Sequence, residues 1–290
     1  MGSPSVGRSS GGAVRRSVVL GGGGVIGGAW MVGLAAQLRR RGIDLGAADS
    51  MVGTSAGAVV GASLLVGRDL DSFADSPAPP GSPEPPPVVV RRELIGVAFG
   101  ALFDRTADRD VAARKVGRFT VTEEPACPAH IAPMVWLVGN DWPGTGLRIV
   151  AVDAVSGQRQ VWDRDAGVPL ATAVTASRSF PGAFPPVVVA DRHYIDGGFW
   201  SPTNADLVPD SDFVLVIEPM ANRFPAEQVD AELATVATDT VVRFGPDPAT
   251  IDVFKTFATD PDVLTHWPRA FQAGIRQADD LARQLIDAGW

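Results

Sequence analysis

The chain predicts an α/β fold with a mostly parallel central sheet covered on both faces, and two observations carry that expectation. Twice near its start, a short apolar run passes through a glycine-containing loop into a helical stretch. The 290 residues, 46% of them hydrophobic, also suffice for a substantial core in one large α/β domain, expected to run from 17 to 290, or in two small ones.

The first unit reads as a buried strand over 17–20, a glycine loop over 21–27 and a helix over 28–41 that sets Leu34, Leu38 and several alanines on one face. The second is the strand Met51-Val52, the pentapeptide 53–57 and a small-residue helix over 58–66. Residues 77–87 hold so many prolines that helix and sheet are both blocked, which predicts a surface loop or hinge. Its PxxP spacing lacks the flanking basic residues of an SH3-type ligand. Residues 91–119 read as a helical cap, with Leu94, Ile95, Phe99, Leu102 and Phe103 near helical spacing. Strands are then expected over 134–138, 147–152 and 158–162, a hairpin over 187–190 and 193–195, and a buried strand over 213–217. An amphipathic helix over 269–288, with Phe271, Ile275, Ala278, Leu281 and Leu285 on one stripe, ends the chain.

The formal charge of −8 argues against nucleic acid as a partner and against electrostatic adhesion to anionic lipid. Any transient membrane contact is therefore expected to be apolar. A lone Cys127 cannot form an internal disulfide, and no signal peptide or membrane-spanning run is read, so a cytoplasmic and bacterial setting is expected. Residues 1–16, rich in Gly and Ser, read as a flexible segment.

Ser55 lies in Gly53-Thr54-Ser55-Ala56-Gly57, a G-x-S-x-G sequence where a strand turns into a helix. Such an elbow strains the serine backbone, exposes its hydroxyl and leaves the first N–H groups of the helix facing whatever that hydroxyl attacks. The alternative is that small residues merely let a helix approach a sheet. Gly22-Gly23-Gly24-Val25-Ile26-Gly27 also admits two readings. It fits the dinucleotide fingerprint G-x-G-x-x-G through Gly22, Gly24 and Gly27, with Asp44 near the place of the ribose-binding acid. Residues 42–46, however, do not read as the end of a buried strand. Consecutive glycines before a helix can equally present N–H groups to a carbonyl oxygen that gains charge.

A serine needs a base. His130 and His266 sit among prolines, and on a strand His193 would face away from Asp196. Asp196 itself ends an apolar strand and precedes Gly197 and Gly198, either as a carboxylate at the ligand-binding edge of a sheet or as an Asp-Gly turn.

Together the glycine loop, the elbow, the Asp196-Gly197-Gly198 motif and the stretch from Ala176 to Val187 resemble the patatin-like phospholipase family. The resemblance implies a three-layer α/β/α fold and a Ser–Asp dyad without histidine, and spans about 17–217. It implies Ser55 as nucleophile, Asp196 as base, and backbone N–H groups of Gly22, Gly23 and Gly24 as the oxyanion hole, with Gly27, Gly53, Gly57, Gly197 and Gly198 shaping the motifs. The expected activity is hydrolysis of lipid carboxylic esters, or of other apolar esters, with no metal or cofactor; acyl transfer to another acceptor is the alternative. Ile26 stands where many members carry Arg or Lys, which removes a cation from the glycine loop. Trp30, often His in the family, and Trp200 read either as lining for an apolar substrate or as plain packing.

Overall fold

The computed structural model describes residues 13–78, 80–87, 89–104, 106–144, 146–257 and 262–290. Most of the expected N-terminal segment and Pro79 in the proline-rich stretch lie outside the described residues.

The described strands form one sheet. Strands β1 (Arg16–Leu20), β2 (Ser50–Thr54), β3 (Gly146–Asp153), β7 (Ser211–Ile217) and β8 (Thr238–Phe244) run parallel in the order β3-β2-β1-β7-β8. The antiparallel part gathers at β3, which pairs with β4 (Arg159–Trp162) and β6 (Arg192–Asp196), and β6 pairs with β5 (Val187–Val189).

Alternation along the strands builds the layers. Val18, Leu20, Met51, Leu147, Ile149, Phe213, Leu215 and Ile217 enter one core. It is covered by α1 (Gly24–Arg40), α2 (Ala56–Leu65), α5 (Pro128–Val138), α6 (Leu170–Ser177), α8 (Pro248–Phe257) and α9 (Trp267–Asp287). Val19, Val52, Val150, Val214 and Val216, one residue out of phase, point the other way onto α7 (Ala226–Leu233). Val152 and Ile195 continue that face under α3 (Arg92–Phe103) and α4 (Arg109–Thr120). The result is helices on both sides of a sheet, a period of two sorting the residues between them.

Several elements differ from the sequence expectation. The first helix begins at Gly24 rather than Gly28, because the Gly27 N–H already donates to the Gly23 carbonyl at 3.0 Å. Met134 to Val138, expected as a strand, is the last part of α5. Pro128 starts that helix, and His130, expected in a broken loop, accepts the Cys127 N–H at 3.1 Å through Nδ1 and so caps it. A five-residue apolar run has no periodicity that separates strand from buried helix. The expected cap over 91–119 divides into α3 and α4, separated after Phe103 where Asp104 accepts both the N–H and the hydroxyl of Thr106. Helices α6, α7 and α8 and strand β8 had no expectation attached.

Candidate active site

Ser55 follows the last residue of β2 with φ 55° and ψ −119°, a backbone region that L residues rarely adopt. The surroundings enforce it. A Cβ on Gly57 would collide with the carbonyl oxygen of Leu20, and one on Gly53 would come within 2.6 Å of the Ala58 Cα, so the helix can leave β2 this sharply only with glycine at both places. The Ser55 N–H donates to the Ser177 hydroxyl at 2.9 Å, which ties the strained residue to the end of α6.

Opposite it stands Asp196. The Ser55 hydroxyl donates to Asp196 Oδ2 at 2.6 Å, while Oδ1 accepts the Gly198 N–H at 2.8 Å. Both groups are almost fully buried, Ser55 at 8% and Asp196 at 3% exposure. Burial therefore pushes the Asp196 carboxyl up to about 6, although the Ser55 hydroxyl, the Gly198 N–H and the Arg178 charge each pull it back.

Strand register explains the meeting. In β3, Val150 pairs with Thr54 of β2 and Ala151 pairs with Asp196 of β6. The other edge of β3 is occupied there by β4, since Val150 also pairs with Val161 and Ala151 with Gln160. Strand β2 thus arrives from one end and antiparallel β6 from the other, along one edge of β3, and they stop at adjacent residues. Ser55 and Asp196 are the two chain ends of that junction.

The glycine loop lies against it, and a Cβ on Gly22 would sit 3.5 Å from the Ser55 Cβ. Its donors are not equivalent. Gly21 donates to the Ile217 carbonyl at 2.9 Å and Gly22 to the Pro202 carbonyl at 2.7 Å. Gly22, expected among the oxyanion donors, has therefore already spent its N–H on the loop that follows Asp196. Among the described residues no protein acceptor takes the N–H of Gly23 or of Gly24, whose φ is +58°. Asp44, the acid of the dinucleotide reading, lies before β2, accepts the Gly46 N–H at 2.9 Å and pairs with Arg39 at 3.2 Å. A ribose-binding acid belongs at the end of a second strand, so this one is misplaced for that role.

Sequence reasoning attached no role to the residues that hold these parts in place. Ser177 touches Ser55, and the Ser179 carbonyl accepts the Asp196 N–H at 3.0 Å. Between them Arg178 ends α6, half-buried, with its guanidinium carbon 4.4 Å from the Phe184 ring centre. Burial draws the Arg178 pKa down while the Asp196 charge raises it. On the other side, buried Glu232 of α7 accepts from the Thr203 hydroxyl at 2.8 Å and the Ala205 N–H at 2.9 Å, bracing the loop whose Pro202 carbonyl holds Gly22. The signal for these roles lies in contacts across 27 to 180 residues of chain, except for 177–179, which fall inside the stretch that resembles the family.

The remaining candidates separate clearly. Trp30 is fully buried, donates to Gln277 at 3.0 Å and stacks on Phe244 at 6.1 Å, so it is core. Ile26 is also core, at 1% exposure. Trp200 is half-buried with the Arg159 guanidinium 5.5 Å from its ring centre. His193 pairs with Val188 on β6, and His266 precedes α9. Among the described residues, the side chains of Ser55 and Asp196 bond each other, and Asp196 also accepts the Gly198 N–H.

Beyond Asp196 an aromatic row leads outward. Phe199 meets Phe180 at 5.4 Å, Phe180 meets Phe99 at 4.9 Å, and Phe103 of α3 lies 5.9 Å from Phe99 and 5.4 Å from Phe224. Phe99 is 41% exposed, so the row reaches the surface. Among the described residues no helix is long and apolar enough to cross a membrane, and no cluster of His, Cys, Asp and Glu is placed to hold a metal ion.

A crystal structure of VipD from Legionella pneumophila is similar over 93% of this chain and 67% of that one, at 15% identity and a TM-score of 0.43. The ExoU–SpcU complex of Pseudomonas aeruginosa is similar over 93% of this chain and 52% of that one, at 17% identity and a TM-score of 0.39. The chain thus spans about half the length of the second of these. No curated protein sequence matches it. The model of the family described as patatin-like phospholipase matches residues 18–209, a span that holds the glycine loop, Ser55 and Asp196. The chain belongs to the patatin-like phospholipase family.

Proposed function

We propose that the protein is a serine hydrolase of lipid carboxylic esters, with Ser55 as nucleophile and Asp196 as its base. The observation that carries this reading is the 2.6 Å hydrogen bond from the Ser55 hydroxyl to Asp196 at a strained turn. Asp196 takes the hydroxyl proton as Oγ attacks the ester carbonyl carbon. The oxygen that gains charge is met by the N–H groups of Gly23 and Gly24 and by the start of α2. Collapse of the tetrahedral species expels the alcohol, which leaves with the proton from Asp196. Asp196 then deprotonates water, whose oxygen attacks the acyl-Ser55 ester, and the carboxylic acid departs as Oγ regains its proton. The apolar row from Phe199, three residues after Asp196, to Phe99 at the surface supports a substrate with an apolar part.

Ser55→Ala is expected to lower hydrolysis of p-nitrophenyl esters by about a thousandfold or more and to abolish labelling by a fluorophosphonate. Replacing His130, His193 and His266 together should leave the rate of a folded protein unchanged. Full activity in the Ser55 variant, or its loss in the histidine variant, would overturn the assignment.

A further inference from the structure

The loop after Asp196 meets the glycine loop at the Pro202 carbonyl. That oxygen accepts the Gly22 N–H at 2.7 Å, and a Cβ on Gly21 would come within 3.0 Å of it. A Cβ on Gly23 would in turn strike Pro219 at 2.6 Å. The glycine loop thus rests against two fixed points, and a shift of Pro202 would turn the Gly23 and Gly24 N–H groups with it. Two residues beyond Pro202, Asn204 has φ 55° and ψ 40°, a left-handed backbone that has to be held in place. Its side-chain amide donates to the Ser201 carbonyl at 2.8 Å and to the Thr54 hydroxyl at 3.0 Å, so the loop also reaches the residue before Ser55. Thr203, Asn204 and Ala205 are all buried, and their polar groups depend on protein partners.

Glu232 supplies the remaining ones. Its Oε2 accepts from the Thr203 hydroxyl at 2.8 Å and from the Ala205 N–H at 2.9 Å, one on each side of Asn204. Its Oε1 is buried and takes no hydrogen bond among the described residues, with Arg109 of α4 3.5 Å away as a counter-charge. A carboxylate at 6% exposure with one oxygen unsatisfied is a poor source of stability. What it achieves is geometric, since two bonds to one oxygen fix the loop around Asn204.

We infer that Glu232 is a positioning residue for ester hydrolysis: through Thr203, Ala205 and the Pro202 carbonyl it sets where the Gly23 and Gly24 N–H groups point. This rests on the hydrolase reading above and adds to it a residue beyond 17–217, the span of the family resemblance, that bonds neither Ser55 nor Asp196. A displaced donor weakens the bond to an oxygen as it gains charge, while binding of the uncharged ester is little affected. The loss therefore falls on kcat and not on KM. A different route from the same loop leads back to Asp196, and a loop that moved the base would shift the pH at which the rate falls.

Rates on p-nitrophenyl butyrate, expressed per Ser55 titrated with a fluorophosphonate, separate these roles in the wild type, Glu232→Gln and Glu232→Ala. The Ala variant is expected to lose about tenfold or more in kcat with KM within about twofold. It should bind an alkyl trifluoromethyl ketone, which Ser55 converts into a tetrahedral oxyanion, more weakly by the same factor. Its pH–kcat/KM profile should keep the midpoint of the wild type. The Gln variant, whose side-chain carbonyl can accept both bonds, should recover most of the loss. Thr203→Val removes one bond without emptying the site and carries the test should the Ala variant not fold, with an expected loss of about threefold or more in kcat. Wild-type kcat per titrated site in the Ala variant, or in the Val variant where the Ala variant does not fold, would make Glu232 a structural residue and overturn the inference. So would a Gln variant as slow as the Ala one, or a shifted pH midpoint, which would put the effect on Asp196. A wild type that is not labelled at Ser55 and cleaves no ester would remove the hydrolase reading, and this inference with it.

Discussion

In the proposed reaction Asp196 has to be both buried and charged. Its carboxyl, raised to about 6 by desolvation, is a stronger base than an exposed aspartate yet remains mostly ionised at neutral pH. The rate at low substrate concentration should therefore be level above that value and fall about tenfold per pH unit below it, as a pH–kcat/KM profile would test. The same shift has an opposite effect on stability. Between the ordinary carboxylate value and about 6, the folded protein keeps a proton that the unfolded chain releases, so the contribution of Asp196 is greatest at low pH and is lost as pH rises through that window. Asp196→Asn should accordingly be inactive but more stable at neutral pH by about 1–3 kcal/mol, an advantage that disappears near pH 4. Thermal unfolding at the two pH values measures it, and an Asn amide can still bond the Ser55 oxygen. The turns that carry both residues were legible in the sequence because glycine neighbours mark them. The sequence gives no sign that the Gly22 N–H is spent on Pro202, since consecutive glycines look alike until the chain segment 180 residues later is in place.

Elements differ in how much their sequence reveals. The stripe of α9 is plain, and Phe271, Ala278, Leu281 and Leu285 are all buried. What α9 packs against is not. It crosses α1 so closely that a Cβ on Gly33 would strike the Phe271 carbonyl and one on Gly274 the Trp30 carbonyl. Gly33→Ala is expected to cost about 1–3 kcal/mol through overpacking, despite the better helix propensity of alanine. Gly96 of α3 is the control: a Cβ there meets nothing within 4 Å, so Gly96→Ala should be neutral or stabilising by about 0.5–1 kcal/mol. Differential scanning calorimetry of the two variants compares them directly. The last turns of α5 are the opposite case. Met134-Val135-Trp136-Leu137-Val138 has the composition of a strand, and it is helical because Pro128 and the Cys127–His130 cap start a helix upstream.

At the scale of the whole molecule, both helical layers pack on one sheet, and the site belongs to neither layer alone. Ser177 comes from one face, Glu232 from the other, and Ser55 and Asp196 from the sheet between. Loss of activity and loss of tryptophan fluorescence, reported by buried Trp30 and Trp267 in the α1–α9 layer, should therefore coincide in a denaturant titration. Activity lost well before fluorescence would mean that the junction opens ahead of the core. The α/β class and the parallel start of the sheet were legible from alternating strand and helix signals, but the antiparallel arrival of β6 was not, because pairing partners far apart in sequence leave no local trace. The junction on β3 has one further consequence. Strands can change register only by whole residues, about 3.3 Å at a time with the side chains reversed. The spacing between Ser55 and Asp196 is thus counted rather than tuned: small strains elsewhere in the molecule cannot stretch it by degrees, and an error is either absent or complete.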